Sequence, residues 1–242
     1  VKRPLRAALE QAFADADVEH FSWQTRCPYV SERERELVRA AFEPLGERVV
    51  DLGCGEGATL AHLGAPEGAV GVDLFEAKVR FAASRLPRCR FLAASVEALP
   101  FDGASFDHVL VRDVLHHLDE PERLIAEAWR ILAAGGRIDV LEPCVLNPLV
   151  AAHGLLVPAE RGELRSTPHF VERTVARRFR VEGVRRYQAL PLYRVAFHPT
   201  LGSPRLAGHA LARRVVGAAE RLAERLMPRA MFSYVHVRAN KA

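Results

Sequence analysis

The stretch VVDLGCGEGATL, Val49 to Leu60, sets an acid ahead of three glycines on alternate positions, Gly53, Gly55 and Gly57. Glycine is costly to order, so a turn this bare needs a use for its exposed backbone. Without Cβ atoms, N–H groups can approach a bound molecule and the chain can take left-handed dihedrals. Two chemistries fit. One is a dinucleotide phosphate cradle. Gly53, Gly55 and Ala58 satisfy G-x-G-x-x-G/A, and Asp73 lies about twenty residues on, where a ribose-binding acid belongs. The other is a seat for a cationic group. Asp51 favours the second, because a fixed anion beside the turn opposes a pyrophosphate at the helix N-terminus.

The elements that must position these residues alternate along the chain. Residues 3–15 and 32–43 read as helices, with EHFSWQTRCPYV between them as an ordered loop. Strands are expected over Arg48–Leu52, in GAVGVDL ending at Asp73, in CRFLAAS, in FDHVLVRD and in GGRIDVLEP, with helices over 57–63, 75–86 and 120–133. Such alternation implies a parallel sheet with right-handed crossovers. Beyond residue 143 the rhythm loosens into a loop with a short helix. A helix over 170–179, a strand over 180–187, a long helical segment over 203–227 and a last strand in MFSYVHVRA follow.

With 242 residues, 49% of them hydrophobic, the chain fits one sizeable α/β domain. No apolar run is long enough to span a bilayer, and the acidic, broken N-terminal segment does not read as a signal peptide. Cys27, Cys54, Cys89 and Cys144 are spread singly, with no zinc-ligand spacing, so free thiols, no metal and a cytoplasmic setting are expected. The net charge of +4, almost all from arginine, permits an anionic partner without requiring one.

Four motifs in order, VVDLGCGEGATL, GVDL, SVEALPFDGASFDHVLVRDVLHHL and LAAGGRIDVLEP, resemble the class I S-adenosylmethionine-dependent methyltransferases. The likeness covers roughly residues 35–143. It is nearest the small-molecule group that includes ubiquinone and menaquinone biosynthesis enzymes. It implies a Rossmann-like, seven-stranded, mostly parallel sheet with helices on both faces and an antiparallel last strand. It also implies an N-terminal lid within 1–45, a cofactor core over 46–143 and an acceptor side over 144–242, with a helical insertion over 188–229.

The resemblance also implies roles. Asp51 would orient the methionyl ammonium. Gly53, Cys54, Gly55 and Gly57 would form the turn around the methionyl and ribose portions. Asp73, followed by Leu74, would take both ribose hydroxyls, since a carboxylate offers two acceptor oxygens. Val96 would meet the adenine through its backbone N–H, and Arg112 would line the methionyl side through its carbonyl. Where the family has an acid for the exocyclic amine this chain has Ser95, a weaker acceptor, which implies either lower cofactor affinity or help from Glu97. Methyl transfer from a sulfonium needs mainly proximity and alignment. A base is needed only if the acceptor loses a proton, and His116, His117 and Glu142 stand where acceptors enter, beyond strands four and five. Each also has a plain structural reading, as a packing or capping histidine or an arginine's partner, and Asp113 reads as a cap. His20, Trp23 and Tyr29 read as lid or pocket wall.

The acceptor is expected to be a small molecule, hydrophobic or lipid-linked. RDVLHH stands where base methyltransferases carry a proline-rich, aromatic motif, which argues against nucleic acid. Protein methylation and a non-catalytic cofactor-binding subunit are the other readings. In the segment 203–227, Leu206, Ala210, Leu211, Val215, Ala218, Leu222 and Leu226 recur at helical spacing, with Arg213, Arg214, Arg221 and Arg225 on a polar side. Packing on the domain, a homodimer contact and contact with an anionic membrane are all open for this helix.

Overall fold

A computed structural model describes residues 10–242. The strands are β1 (Val49–Leu52), β2 (Val70–Asp73), β3 (Arg90–Ala93), β4 (Phe106–Arg112), β5 (Leu132–Pro143), β6 (Arg180–Tyr187) and β7 (Tyr234–Asn240). They form one sheet in the order β3-β2-β1-β4-β5-β7-β6. β1 to β5 run parallel, and β7 lies antiparallel between β5 and β6. The helices are α1 (Val18–Arg26), α2 (Pro28–Phe42), α3 (Ala58–His62), α4 (Glu76–Arg85), α5 (Pro121–Ile131), α6 (Pro148–Leu156), α7 (Pro168–Ala176), α8 (Tyr193–Ala196) and α9 (Ala210–Leu226). The Rossmann-like, mostly parallel sheet expected from the sequence is present. Part of the expected helix over 3–15 lies outside the described residues; residues 10–13 are helical.

Side-chain alternation divides the core. Val50, Leu52, Val109, Val111, Ile138 and Val140 point to one face, where Leu124, Ile125, Ala128 and Ile131 of α5 cover them. Val49, Leu110 and Leu141 point to the other, against Leu37, Val38, Ala41 and Phe42 of α2. That second face also buries charge. Asp139 is wholly buried and gathers His108 Nε2 at 2.9 Å, His236 Nε2 at 2.7 Å, Arg238 Nε at 2.7 Å and Arg137 Nε at 3.0 Å.

One expectation is corrected: EHFSWQTRCPYV is helical rather than a loop. Asp17 caps α1 by accepting the His20 N–H at 2.7 Å, and Cys27 is extended because Pro28 opens α2 behind it. Phe21 and Trp23 are the buried side chains of α1. α9 packs on the domain by one face, where Ala212 and Val216 meet a core cluster and Gly217 and Glu220 are buried. Its leucine stripe faces outward: Leu211 is 74% exposed, Val215 60%, Leu222 56% and Leu226 73%. Glu220 fixes this orientation by accepting the Tyr193 N–H at 2.9 Å.

One acid ties the N-terminal helices to the sheet and to the segment before β7. Glu34 of α2 is fully buried. Arg112 Nη2 donates to it at 2.6 Å, Arg194 Nη2 at 2.8 Å and the Tyr193 hydroxyl at 2.8 Å. Burial alone would raise its pKa, but the Arg194 and Arg112 guanidiniums hold it down at about 2. Its contribution to stability is therefore present above the ordinary carboxylate range and is lost as pH falls toward 2. Glu34→Ala leaves two guanidiniums uncompensated and should cost ~3–5 kcal/mol in urea unfolding at neutral pH. A cost below ~1 kcal/mol would show that the arginines find other partners.

Candidate functional site

A cavity of about 310 Å³ opens at the carboxyl ends of β1 to β4. This is where strand order reverses, the usual crevice of open α/β sheets. Its wall takes Gly53 and Gly55 from the turn after β1, Asp73, Leu74 and Phe75 from the end of β2, and Ser95, Val96 and Glu97 from beyond β3. Asp113, Val114 and His117 come from beyond β4.

The glycine turn is held by its neighbours. Gly53 and Cys54 both donate to the Val72 carbonyl, at 2.8 and 2.9 Å. Gly53 is left-handed, φ +77°, and a Cβ there would stand 2.4 Å from Val114 Cγ2. Asp73 joins two turns: its Oδ2 accepts the Gly55 N–H at 2.9 Å and its Oδ1 accepts the Phe75 N–H at 3.0 Å. Each oxygen keeps a second acceptor site. Ser95 Oγ accepts the Glu97 N–H at 3.2 Å, so part of its acceptor capacity is used locally.

Asp51 is 1% exposed and is not on the cavity wall, and its Oδ2 is buried without a partner. Burial, with the nearby Asp73 charge, raises its pKa to about 7 against the pull of Arg112. An unpartnered buried carboxylate is unfavourable, and a cation beside it relieves the penalty. The local chemistry thus fits a ligand with a positive group near the glycine turn and vicinal hydroxyls at Asp73.

Other expected site residues stand back from the wall. Cys54 is buried with its thiol pKa pushed well above normal by burial, which suits a packing residue rather than a nucleophile. A Cβ on Gly57 would meet Leu86 and Ala82, so it serves packing. The Arg112 side chain turns to Glu34 and to Asp113, whose Oδ2 lies 3.3 Å from its Nε. His20 and Trp23 stack with His198, while Tyr29 packs edge-on to Phe197, away from the cavity wall.

Glu142 does not face the mouth. It is fully buried, accepts the Val114 and Leu115 N–H groups at 2.7 and 2.8 Å, and lies 2.7 Å from His116 Nδ1. His116 Nε2 lies 3.3 Å from Glu160 Oε2. His116, His117 and Glu160 bring their ligand atoms within 4.8 Å of one another, the spacing of a metal site. Both ring nitrogens of His116 already face carboxylates, so the geometry is that of an imidazolium between two anions. Burial opposes that charge, but Glu142 and Glu160 overcome it and raise the pKa to about 10. His117, on the wall, is driven the other way by burial and by the charge on His116, to about 3. Glu160 reaches this point because Gly162 has no side chain: a Cβ there would lie 1.8 Å from the His116 carbonyl oxygen.

Residues 50–139 match the family model described as a methyltransferase domain. Over that stretch the chain is similar to methyltransferase domains. It is 38% identical over 109 residues to the demethylmenaquinone methyltransferase of Clavibacter sepedonicus, covering 43% of this chain and 44% of that one. It is 30% identical over 165 residues to the 27-O-demethylrifamycin SV methyltransferase of Amycolatopsis mediterranei, covering 63% and 59%. The matches thus span less than two thirds of these curated relatives. Among solved structures, a Thermotoga maritima S-adenosylmethionine-dependent methyltransferase, described as a possible histamine N-methyltransferase, shares the fold. Its TM-score is 0.67 at 19% identity, covering 98% of this chain and 100% of that one.

The structure brings Gly53, Gly55, Asp73, Leu74, Ser95, Val96, Glu97 and His117 of the expected residues to one cavity. Sequence reasoning missed Phe13, Phe75, Lys78, Leu118, Asp119 and Glu160 on the same wall. Phe75 and Lys78 follow Asp73 within two helical turns, which was a usable signal. Glu160 sits in a segment without a motif. The histidine pair gives a sharp test. Ring 15N spectra at pH 7 should show His116 doubly protonated and His117 neutral, and the His116 signal should titrate only toward pH 10. Glu142→Gln should bring the His116 transition down into the neutral range. Two neutral rings in the wild type at pH 7 would contradict the assignment.

Proposed function

We propose that this protein binds S-adenosylmethionine in the cavity and transfers its methyl group to a small apolar acceptor. The observation that carries this reading is the pairing of an unpartnered buried carboxylate, Asp51, with a cavity-wall carboxylate of free acceptor capacity, Asp73, across one glycine turn. The first suits an α-ammonium and the second a ribose diol. A nicotinamide dinucleotide has no ammonium to place near the glycine turn and brings there a pyrophosphate that Asp51 would repel. The kinship with menaquinone and rifamycin methyltransferases supports an acceptor of that general kind, a small organic molecule with a large apolar part.

Bound S-adenosylmethionine supplies a sulfonium methyl whose transfer releases a neutral thioether. The residues of this chain then have mostly positional work. Asp73 holds the ribose end of the donor, Asp51 behind the glycine turn supplies the negative charge that favours its ammonium, and the Val96 backbone meets the base. Phe13, Phe75 and Leu118 give the cavity apolar wall, which excludes water from the reacting centre. His116 is already protonated and cannot accept a proton from an acceptor. Glu142 is committed to three backbone N–H groups and His116. His117 is neutral and on the wall, and its buried Nδ1 has no partner. With its pKa held low it is a weak base, suited to accepting a hydrogen bond from an acceptor hydroxyl and orienting it.

The test is transfer of label from methyl-tritiated S-adenosylmethionine during incubation with a bacterial cell extract. Protein-dependent label should enter the organic-soluble small-molecule fraction. Asp73→Ala, with its fold checked by circular dichroism, should lower that transfer roughly a hundredfold through lost donor binding. Label confined to protein or nucleic acid, or none despite donor binding, would overturn the proposal.

A further inference from the structure

We infer that the outward face of α9 is a docking surface for an anionic membrane. Leu211, Val215, Ala218, Leu222 and Leu226 recur every three or four residues and are all exposed, so they form one apolar stripe along the helix. At 1.5 Å per residue the stripe is roughly 22 Å long. It is not waiting to fold back on the domain. The opposite face is already committed: Gly217 and Glu220 are buried, and Glu220 holds the Tyr193 N–H. A continuous exposed apolar patch on a fixed helix calls for something to cover it.

Charge selects the occupant. Arg214, Arg221 and Arg225 each stand three residues beyond a member of the stripe and are exposed, so they line one border of it. The helix has two acids. Glu220 is buried on the inner face, and Glu224 is exposed three residues beyond Arg221, on the side of the arginines away from the stripe. The row next to the stripe is therefore cationic. This is the arrangement of a helix lying in a membrane interface, with aliphatic side chains among the acyl chains and guanidiniums on anionic headgroups. A second copy fits less well, because two-fold antiparallel pairing of two stripes sets each arginine border against its own image. Leu201, in the loop before α9, is also 64% exposed. Among the described residues no helix is long and apolar enough to cross a membrane, so the contact is with the membrane surface.

This inference does not depend on methyl transfer, and its test needs no cofactor. The full chain is sedimented with vesicles of phosphatidylcholine alone and of phosphatidylcholine with phosphatidylglycerol. It should pellet with the anionic vesicles, not with the neutral ones, and release as salt is raised. Each of Arg214→Gln, Arg221→Gln and Arg225→Gln should weaken binding about fivefold. The triple variant Leu211→Gln, Leu222→Gln, Leu226→Gln should abolish it with an unchanged unfolding curve, since these side chains are exposed. No pelleting of wild type with anionic vesicles, or equal pelleting with both kinds, would overturn the inference. So would light scattering that shows a dimer which the leucine variant converts to monomer, because α9 would then be covered by a second copy.

Discussion

The cavity depends on one acceptor group. The Asp73 carboxylate receives the Gly55 N–H on one oxygen and the Phe75 N–H on the other, and so fixes the turns after β1 and β2 to each other. A charge-assisted hydrogen bond to backbone holds geometry more firmly than a neutral one. With the two turns fixed, Gly53 can lie against Val114 and the third wall, beyond β4, is placed as well. Glu142 does the same work for that wall by gathering the N–H groups of residues 114 to 116. The N–H groups of Gly55, Phe75 and residues 114 to 116 are thus spent on two buried acids, and this places the turns that carry the wall.

The electrostatic layout has two halves. Around His116 every charge has a partner: Glu142 and Glu160 flank one imidazolium. Asp51 has none at its Oδ2, and its pKa is raised to about 7. Paired buried charges are structural more often than functional, and an unmatched one in a strand-end crevice is the better pointer to a ligand. The contrast also separates the adjacent histidines. One is made cationic by its carboxylates, and that charge helps to keep the other neutral.

Much of this was legible in the sequence, for reasons that differ by element. β1, β2 and β4 are short apolar runs bounded by glycine or acid, and β6 spans the expected residues 180–187. The cavity-wall residues contributed by the glycine turn, by Asp73 and by Ser95 to Glu97 follow from motif order, because strand ends in a parallel sheet all open on one side. What was illegible required tertiary knowledge. Periodicity identifies the apolar stripe of α9 but not whether it faces the domain, and here Glu220 and Gly217 decide it. The α1 segment, rich in turn-forming and aromatic residues, becomes helical through the Asp17 cap and the burial of Phe21 and Trp23. Glu142 looks like a mouth residue from its place at a strand end, yet alternation turns it inward under the 114–116 turn. Glu160 and Glu34 act across long separations with no local signature.

The central claim is that Asp51 keeps a buried charge site for the ammonium of a nucleoside–amino-acid ligand. Calorimetric titration with S-adenosylhomocysteine between pH 5.5 and 7 addresses it directly. The free protein holds a proton on Asp51 below about 7, and the bound ammonium favours the ionised form. Binding should therefore release a proton and tighten about tenfold as pH rises through that window. In Asp51→Asn it should be weaker, with the pH dependence gone. Absent binding to the folded wild type, or binding equally tight across the window, would contradict the account.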